Sequence, residues 1–350
     1  MIMARKENLQ YLMMKELAEM YNRGKGKSKR SFKTETEQLR KEARMAGASY
    51  KETLYINTAR DYIFSQSTFE NYKRHCKYFC NYLADRGIKK ISIEESKKYI
   101  QEYVNYLDKE RHLSAYSINL SLSAIVKVTH GHLCDYTHPI RRLANQTRGR
   151  KEAVHDRYNE KHCEKTLKAN RLLGLRRNAL LNLKCKNIKM VTTPEGKEVL
   201  EIHIKSKGGR MNIQTFYLDE EKETILKWIE GKKPTDYVFD REEIQKHDAD
   251  YHSCRAERAK AVYNRVVNDL KEHPEKREEY RQEIERIFAR DGKKLKEDLE
   301  HPYYARGSFR KYLEEKDYDV KMDRLAVMFV SVTCLSHNRS DTTVEHYLCA

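Results

Sequence analysis

The sequence predicts a mainly α chain with a small antiparallel β-sheet, arranged as an all-α domain followed by an α+β domain. Three observations carry that expectation. Apolar residues recur at helical spacing over most of the chain. One region, near residues 188–218, breaks that rhythm with strand-like runs separated by turn residues. A stretch rich in Arg and Lys, 141–171, divides the two kinds of pattern as a linker would. At 350 residues the chain has room for two or three domains, and 39% apolar residues suffice for modest cores.

Residues 1–58 read as a basic N-terminal arm. A short amphipathic piece (Leu9, Leu12, Met13, Leu17, Met20) precedes the run RGKGKSKR, in which Arg23, Lys25, Lys27, Lys29 and Arg30 stand without an acid. Gly and Ser between like charges suggest a flexible, solvated segment, either a DNA-contacting arm or a solubilising tail. Residues 59–148 read as a small all-α domain. Ser67 and Glu70 make a capping-box signature. Phe69, Tyr72, Cys76, Phe79 and Leu83 follow on one face, and Gly87 ends that helix. A second helix carries Tyr99, Ile100, Tyr103, Val104 and Leu107, and a third Ile118, Leu122 and Ile125. The exterior is basic at Lys73, Arg74, Lys97, Lys98 and Lys127, and Arg141 and Arg142 open the linker.

Residues 149–350 mix helix and strand. Strands are expected near Ile188–Val191, Val199–Ile204 and Met211–Leu218, with turns at Pro194-Glu195-Gly196 and Ser206-Lys207-Gly208-Gly209. Helix then continues to the end. Residues 264–302 stand apart, with ten basic and eleven acidic residues. That balance reads as an inserted helical excursion away from any DNA-facing surface, with Tyr280, Ile284, Ile287 and Phe288 as a narrow apolar stripe.

The formal net charge of +17 favours a polyanionic partner, because each cation that neutralises a phosphate releases counterions. A membrane surface is the competing polyanion, but no run approaches the roughly 18–20 apolar residues of a span. The opening MIMARKENLQ runs into charge and does not read as a signal peptide, so the expectation is a cytoplasmic protein. Eight cysteines without a CxxC pair read as free thiols. His130, His132, Cys134 and His138 are zinc-ligand types, but their spacing matches no common finger, and a packed or DNA-facing loop is the preferred reading.

Phosphoryl transfer on DNA needs few parts. A nucleophile attacks in line while charge builds on the non-bridging oxygens. Arginine suits that charge, since its planar fork donates twice and keeps its proton. The leaving oxygen needs an acid, and a lysine can serve. A tyrosine, with a free pKa of about 10, can be the nucleophile if it is helped to ionise. The chain offers these parts in order. Arg176 follows Leu173-Gly174-Leu175, and Lys207 sits on the hairpin turn. His252 and Arg255 share a helix face at i,i+3. His337 and Tyr347 close the sequence in LSHNRSDTTVEHYLCA.

This ordered set resembles the tyrosine recombinase, or phage integrase, family. GLRRNALLNLK resembles its first Arg box, IKSKGGRMNI its Lys hairpin, HSCR its His-x-x-Arg, and LSHNRSDTTVEHY its second His and nucleophilic Tyr. The resemblance implies a SAM-like core-binding domain at 59–148 and a catalytic domain at 149–350. It implies a site-specific integrase of a mobile element, acting as a tetramer on double-stranded DNA, with a directionality factor as a further partner and no cofactor. The catalytic set would be Arg176, Lys207, His252, Arg255, His337 and Tyr347. A topoisomerase-like relaxing enzyme and a catalytically inactive DNA-binding regulator or accessory factor are the alternatives. The chain departs from the pattern in four ways. Ala179 stands where an acid is usual, and Ser336 where Gly is usual. Arg255 and His337 lie 82 residues apart, farther than in typical members, so the 264–302 excursion is expected to loop out. Little follows Tyr347, so any docking of one subunit on another would come from elsewhere.

Overall fold

A computed structural model describes residues 8–141, 160–194, 196–205, 211–246 and 249–349. The chain divides into two units, 1–145 and 146–350. The first is all α, and the second is mainly helical around a three-stranded antiparallel sheet.

The first unit holds α1 (Leu9–Gly24), α2 (Lys29–Met45), α3 (Tyr50–Thr53), α4 (Gln66–Asp85), α5 (Ile93–Ser96), α6 (Ile100–Lys109) and α7 (Ala115–Val128). The apolar stripes of α4, α6 and α7 fall where the periodicity puts them. Cys76, Phe79, Leu83, Ile100, Tyr103, Val104, Leu107, Ile118, Leu122 and Ile125 are all buried in one core. Gly87 ends α4 in a left-handed conformation, as a C-terminal glycine should. The N-terminus of α4 differs by two residues from the expected one. Ser65, not Ser67, caps it by accepting from the Thr68 N–H at 3.2 Å.

The expectation of an N-terminal arm fails for physical reasons. Leu9, Met13, Leu17 and Met20 are buried in the same core as α4 and α7, so α1 is a structural helix of this unit. Its 4-4-3 spacing already makes a full apolar face. The basic run is the turn from α1 into α2. Gly24 is required there, because a Cβ would collide with the backbone carbonyl of Ile63. His130 is exposed but tethered to its neighbours. Its ring meets Asp61 at 3.2 Å and Glu16 of α1 at 3.4 Å.

The second unit opens with α8 (Glu164–Leu173) and α9 (Arg177–Leu181). The sheet follows in the order β1 (Ile188–Thr192), β2 (Glu198–Lys205), β3 (Met211–Phe216). Its register pairs Ile188 with Ile202, Leu200 with Phe216 and Lys205 with Met211. Lys207, expected on the turn between β2 and β3, lies outside the described residues. Then come α10 (Asp219–Lys227), α11 (Arg241–Lys246), α12 (Tyr251–Glu272) and α13 (Arg277–Arg290). A two-stranded pair, β4 (Tyr303–Tyr304) and β5 (Lys321–Met322), encloses α14 (Gly307–Glu315). The chain ends in α15 (Arg324–Thr333) and α16 (Ser340–Thr343), which runs into a π-helical turn, Val344–Leu348.

The 264–302 excursion does not fold aside. Residue 264 falls inside the continuous helix α12. Ile284, Ile287 and Phe288 of α13 are buried against α12 and α15, in a core that also takes Tyr347. The stripe on α13 is narrow, but its partner is not: Leu325 to Thr333 of α15 are all buried. A one-sided stripe suffices when the facing helix is apolar all round. Among the described residues, no helix is long and apolar enough to cross a membrane.

The close approach at Gly24 gives a direct test. Gly24→Ala should destabilise the protein by about 1–3 kcal/mol, the usual cost of overpacking, read as a lower denaturation midpoint. An unchanged midpoint would mean that α1 does not pack against the Ile63 segment.

Candidate active site

The corner between α8 and α9 is built around one left-handed glycine. Gly174 has φ 60°, and its N–H donates to Asn170 O at 2.6 Å. A Cβ there would lie 3.1 Å from Arg258 Cβ, so α12 can approach this corner only over a glycine. Asn170 is fully buried and reads the backbone of the corner. Its Oδ1 accepts from Leu175 N at 2.9 Å, and its Nδ2 donates to Leu175 O at 3.0 Å and to Tyr251 O at 3.3 Å. One side chain therefore ties the corner to the start of α12. Arg176 follows at the head of α9, half-buried, in an extended conformation.

Asp250 caps α12 by accepting from His252 N at 3.1 Å and Ser253 N at 3.0 Å. That cap sets the rotation of the first turn, which presents His252 and Arg255 on one face. Arg255 is 2% exposed. Its guanidinium donates to Gly174 O at 2.5 Å and to Leu335 O at 2.7 Å. Burial lowers its pKa; Tyr347 opposes that shift and the positive charge of Arg176 adds to it. Among the described residues no carboxylate pairs with it. Arg258, one turn on, is the opposite case. It makes a buried two-point ion pair with Glu221 at 2.5 and 2.9 Å.

The third contribution comes from the end of α15. Ser336 adopts φ 48°, a region that disfavours side chains. Its hydroxyl donates to Ile213 O of β3 at 2.8 Å, and Gln214 Nε2 donates to Cys334 O at 2.5 Å. Two neighbouring residues of β3 thus grip the triplet that carries His337. The His337 N–H donates to Ser331 O at 2.7 Å. Ser331 and Thr343 hydroxyls meet at 2.6 Å, which brings α16 back across α15.

The side chains then converge on one ring. Tyr347 lies with its ring centroid 5.5 Å from that of His252 and 5.8 Å from that of His337, and Arg255 Cζ is 5.5 Å from the same centroid. Tyr347 is 5% exposed. The structure therefore brings His252, Arg255, His337 and Tyr347 together, with Arg176 close enough to act on Arg255 electrostatically. Ala179 is buried in the core behind the corner and contributes no charge. Asn170 and Gln214 escaped the sequence reading. Isolated polar residues inside a helix and a strand carry no periodic signal, and their partners lie far away in sequence.

The expected DNA-facing cations divide in two. Lys25, Lys27, Lys29, Arg30, Arg74 and Arg141 are exposed. Lys27 sits over the Tyr62 ring at 4.5 Å and Arg141 over Tyr116 at 5.9 Å. The others are already engaged. Arg23 pairs with Glu16 at 3.3 Å, and Lys73 with Glu70 at 3.2 Å. Lys127 is half-buried and donates to Ala59 O at 2.7 Å. Burial pulls its pKa down to about 8; Asp61 opposes that, and Lys29 and Arg60 add to it. Arg142 lies outside the described residues.

Asn170→Ala would leave the Leu175 N–H and C=O without their partner. It should cost about 1–3 kcal/mol of stability, the usual penalty for orphaned buried polar groups. Thermal unfolding measures it, and a melt matching wild type would contradict the role given to this side chain.

Comparison with known proteins agrees with the first unit most directly. The model of the phage integrase N-terminal SAM-like domain matches residues 49–132. No curated protein matches the chain. Among solved structures, XerH site-specific recombinase bound to difH substrate in a pre-cleavage complex shares 14% identity, over 73% of this chain and 84% of that one, with a TM-score of 0.35. The same recombinase bound to a palindromic difH substrate in a post-cleavage complex shares 14% identity, over 96% and 90%, with a TM-score of 0.37. XerA recombinase shares 16% identity, over 57% and 79%, with a TM-score of 0.21. Scores this low carry no argument about this chain's activity. What the comparison shows is therefore a phage integrase N-terminal SAM-like domain within the first unit, at residues 49–132.

Proposed function

We propose that the chain is a site-specific DNA recombinase that cleaves and rejoins strands through a 3′-phosphotyrosyl intermediate. The observation that carries this reading is the convergence of Arg255, His252 and His337 on the ring of Tyr347. Tyr347 Oη attacks the scissile phosphorus and passes its proton to His252, directly or through water, as the new P–O bond forms. The bond to the 5′ oxygen breaks, and that oxygen takes a proton from Lys207. Arg176 and Arg255 stabilise the charge on the non-bridging oxygens, and His337 donates a further hydrogen bond. The phosphotyrosyl link conserves the bond energy for rejoining, so the cycle needs neither ATP nor a metal.

Burial of Tyr347 adds a requirement. The hydroxyl meets a phosphate only when the turn at 344–348 gives way. A π-helical turn suits this, since such turns are irregular backbone found often at functional sites. The first unit is the core-binding domain, holding DNA through the exposed cations of the α1–α2 turn. The acting species is a tetramer on two DNA sites, working with a directionality factor to integrate or excise a mobile element in the cytoplasm of a bacterial or phage-infected cell.

A nicked suicide substrate tests the chemistry. Wild type should form a covalent DNA adduct on a denaturing gel, and Tyr347→Phe should form none. An adduct that persists in the variant names another nucleophile. Recombination of two defined sites, against relaxation of a random plasmid, separates a recombinase from a relaxing enzyme. No adduct with any substrate, despite tight binding, leaves an inactive DNA-binding regulator.

Lys127 gives a pH signature. In the free protein its folded pKa, about 8, lies below the ordinary lysine value of 10.5. A DNA phosphate nearby would raise it, so binding takes up a proton between about pH 8 and 10. Affinity should therefore fall as pH rises through that window, more steeply in wild type than in Lys127→Met. Equal slopes in the two proteins would remove Lys127 from the interface.

A further inference from the structure

Residues 291–297 follow Arg290, the last residue of α13, in the part of the chain whose composition suggested an excursion. They reach the segment between His337 and Tyr347 instead. Lys293 Nζ donates to Asn338 Oδ1 at 2.6 Å. Glu297 Oε1 accepts from Ser340 N at 3.1 Å. Asn338 follows His337 directly, and Ser340 opens α16, the four-residue helix that leads into the Tyr347 turn. The other end of the segment is tied to the sheet. Arg290 Nη1 meets Glu201 Oε1 at 2.8 Å, and Glu201 Oε2 meets His203 Nε2 at 2.7 Å, both on β2. Glu201 is 3% exposed, so this anchor is itself fixed by burial.

The arm these contacts hold cannot hold itself. A four-residue helix has no cooperative stability of its own, because nucleation costs more than one turn returns. The N–H groups of its first turn also lack intrahelical acceptors. Glu297 supplies one of them with a charged acceptor, which also favours the positive end of the helix. On the side facing residues 293–297 the arm is not closely packed. A cavity of about 450 Å³ lies between the segment and the arm, lined by Phe288, Leu295, Met328, Asn338 and Arg339 among others. Beside that gap the two polar contacts hold the start of the arm, while the Ser331–Thr343 contact and the buried Val344 hold its far end.

We infer that the segment from Arg290 to Glu297 is a strut for strand cleavage, in which Glu297 and Lys293 are positioning residues that fix the arm between His337 and the nucleophile. This rests on the proposed DNA-cleaving reading. The strut holds residues 338–340 still while the turn at 344–348 yields to the phosphate. It also ties that arm to β2 through Arg290 and Glu201.

The test compares full-length wild type with Glu297→Ala, Lys293→Met and the conservative Glu297→Gln. Three quantities are read: the single-turnover rate of adduct formation on a nicked suicide substrate, the Kd for the same DNA, and the thermal midpoint. Misplacing a reacting group by about 1 Å can cost roughly a hundredfold in rate. Glu297→Ala should therefore slow adduct formation by roughly tenfold or more, with Kd and midpoint close to wild type. Lys293→Met should slow it in the same way. Glu297→Gln, which keeps an acceptor oxygen, should recover most of the rate. A wild-type rate in Glu297→Ala overturns the proposal, as does a loss that follows Kd or the midpoint. A wild-type chain that forms no adduct counts against the DNA-cleaving reading instead. The strut is then read in the free protein, by amide exchange at Val344–Leu348. Faster exchange in Glu297→Ala, with α12 unchanged, supports it, and unchanged exchange overturns it.

Discussion

The second unit depends on a guanidinium that is buried without a carboxylate. Taking a cation out of water costs several kcal/mol unless polar groups replace the lost solvent. For Arg255 those groups are two backbone carbonyls, Gly174 O and Leu335 O, which belong to segments far apart in sequence. The carbonyls are compelled to be there, and so are the segments that carry them. The α8–α9 corner brings Arg176, the end of α15 brings His337, and α12 itself brings His252. Arg258 shows what a purely structural arginine looks like on the same helix. Its charge is cancelled by Glu221. The charge of Arg255 is solvated but not cancelled, so it remains available to an anion arriving beside Tyr347. A perturbed, uncancelled charge in a cluster of titratable groups is what makes this cluster the candidate site.

Around that pin, the supporting contacts are mostly polar and non-local. Asn170 fixes the corner to α12, Gln214 and Ser336 fix the His337 triplet to β3, and Glu297 and Lys293 fix the arm that follows it. Ser336 pays for its place with a left-handed backbone, a strain that persists only where surroundings over-determine it. Its hydroxyl bond to Ile213 is a contact that a glycine could not make. Ser336 therefore adds a tether rather than merely costing strain.

What the sequence made legible was local. The stripes of α4, α6 and α7, the three strands, and the shared face of His252 and Arg255 all follow from periods of 3.6 and 2. The N-terminal helix was legible too, through Leu9, Met13, Leu17 and Met20, but the charge run after it dominated the reading of the segment. Charge balance misled again at 264–302. Composition reports what a surface shows to water, whereas Ile284, Ile287 and Phe288 report what is hidden. Their partner on α15 lies some forty residues on, and no period connects them. The polar tethers were illegible for the same reason: a single Asn or Gln becomes informative only when its distant carbonyl is known.

Arg255→Lys tests the central claim most directly. A lysine keeps the positive charge but not the planar fork, so it cannot reach both Gly174 O and Leu335 O. Thermal unfolding and amide exchange across residues 174–176 and 335–348 should show a less stable second unit in which both segments loosen together, with the first unit unaffected. A variant that unfolds at the wild-type temperature, with protection at both segments intact, would mean that the buried guanidinium does not hold the site together.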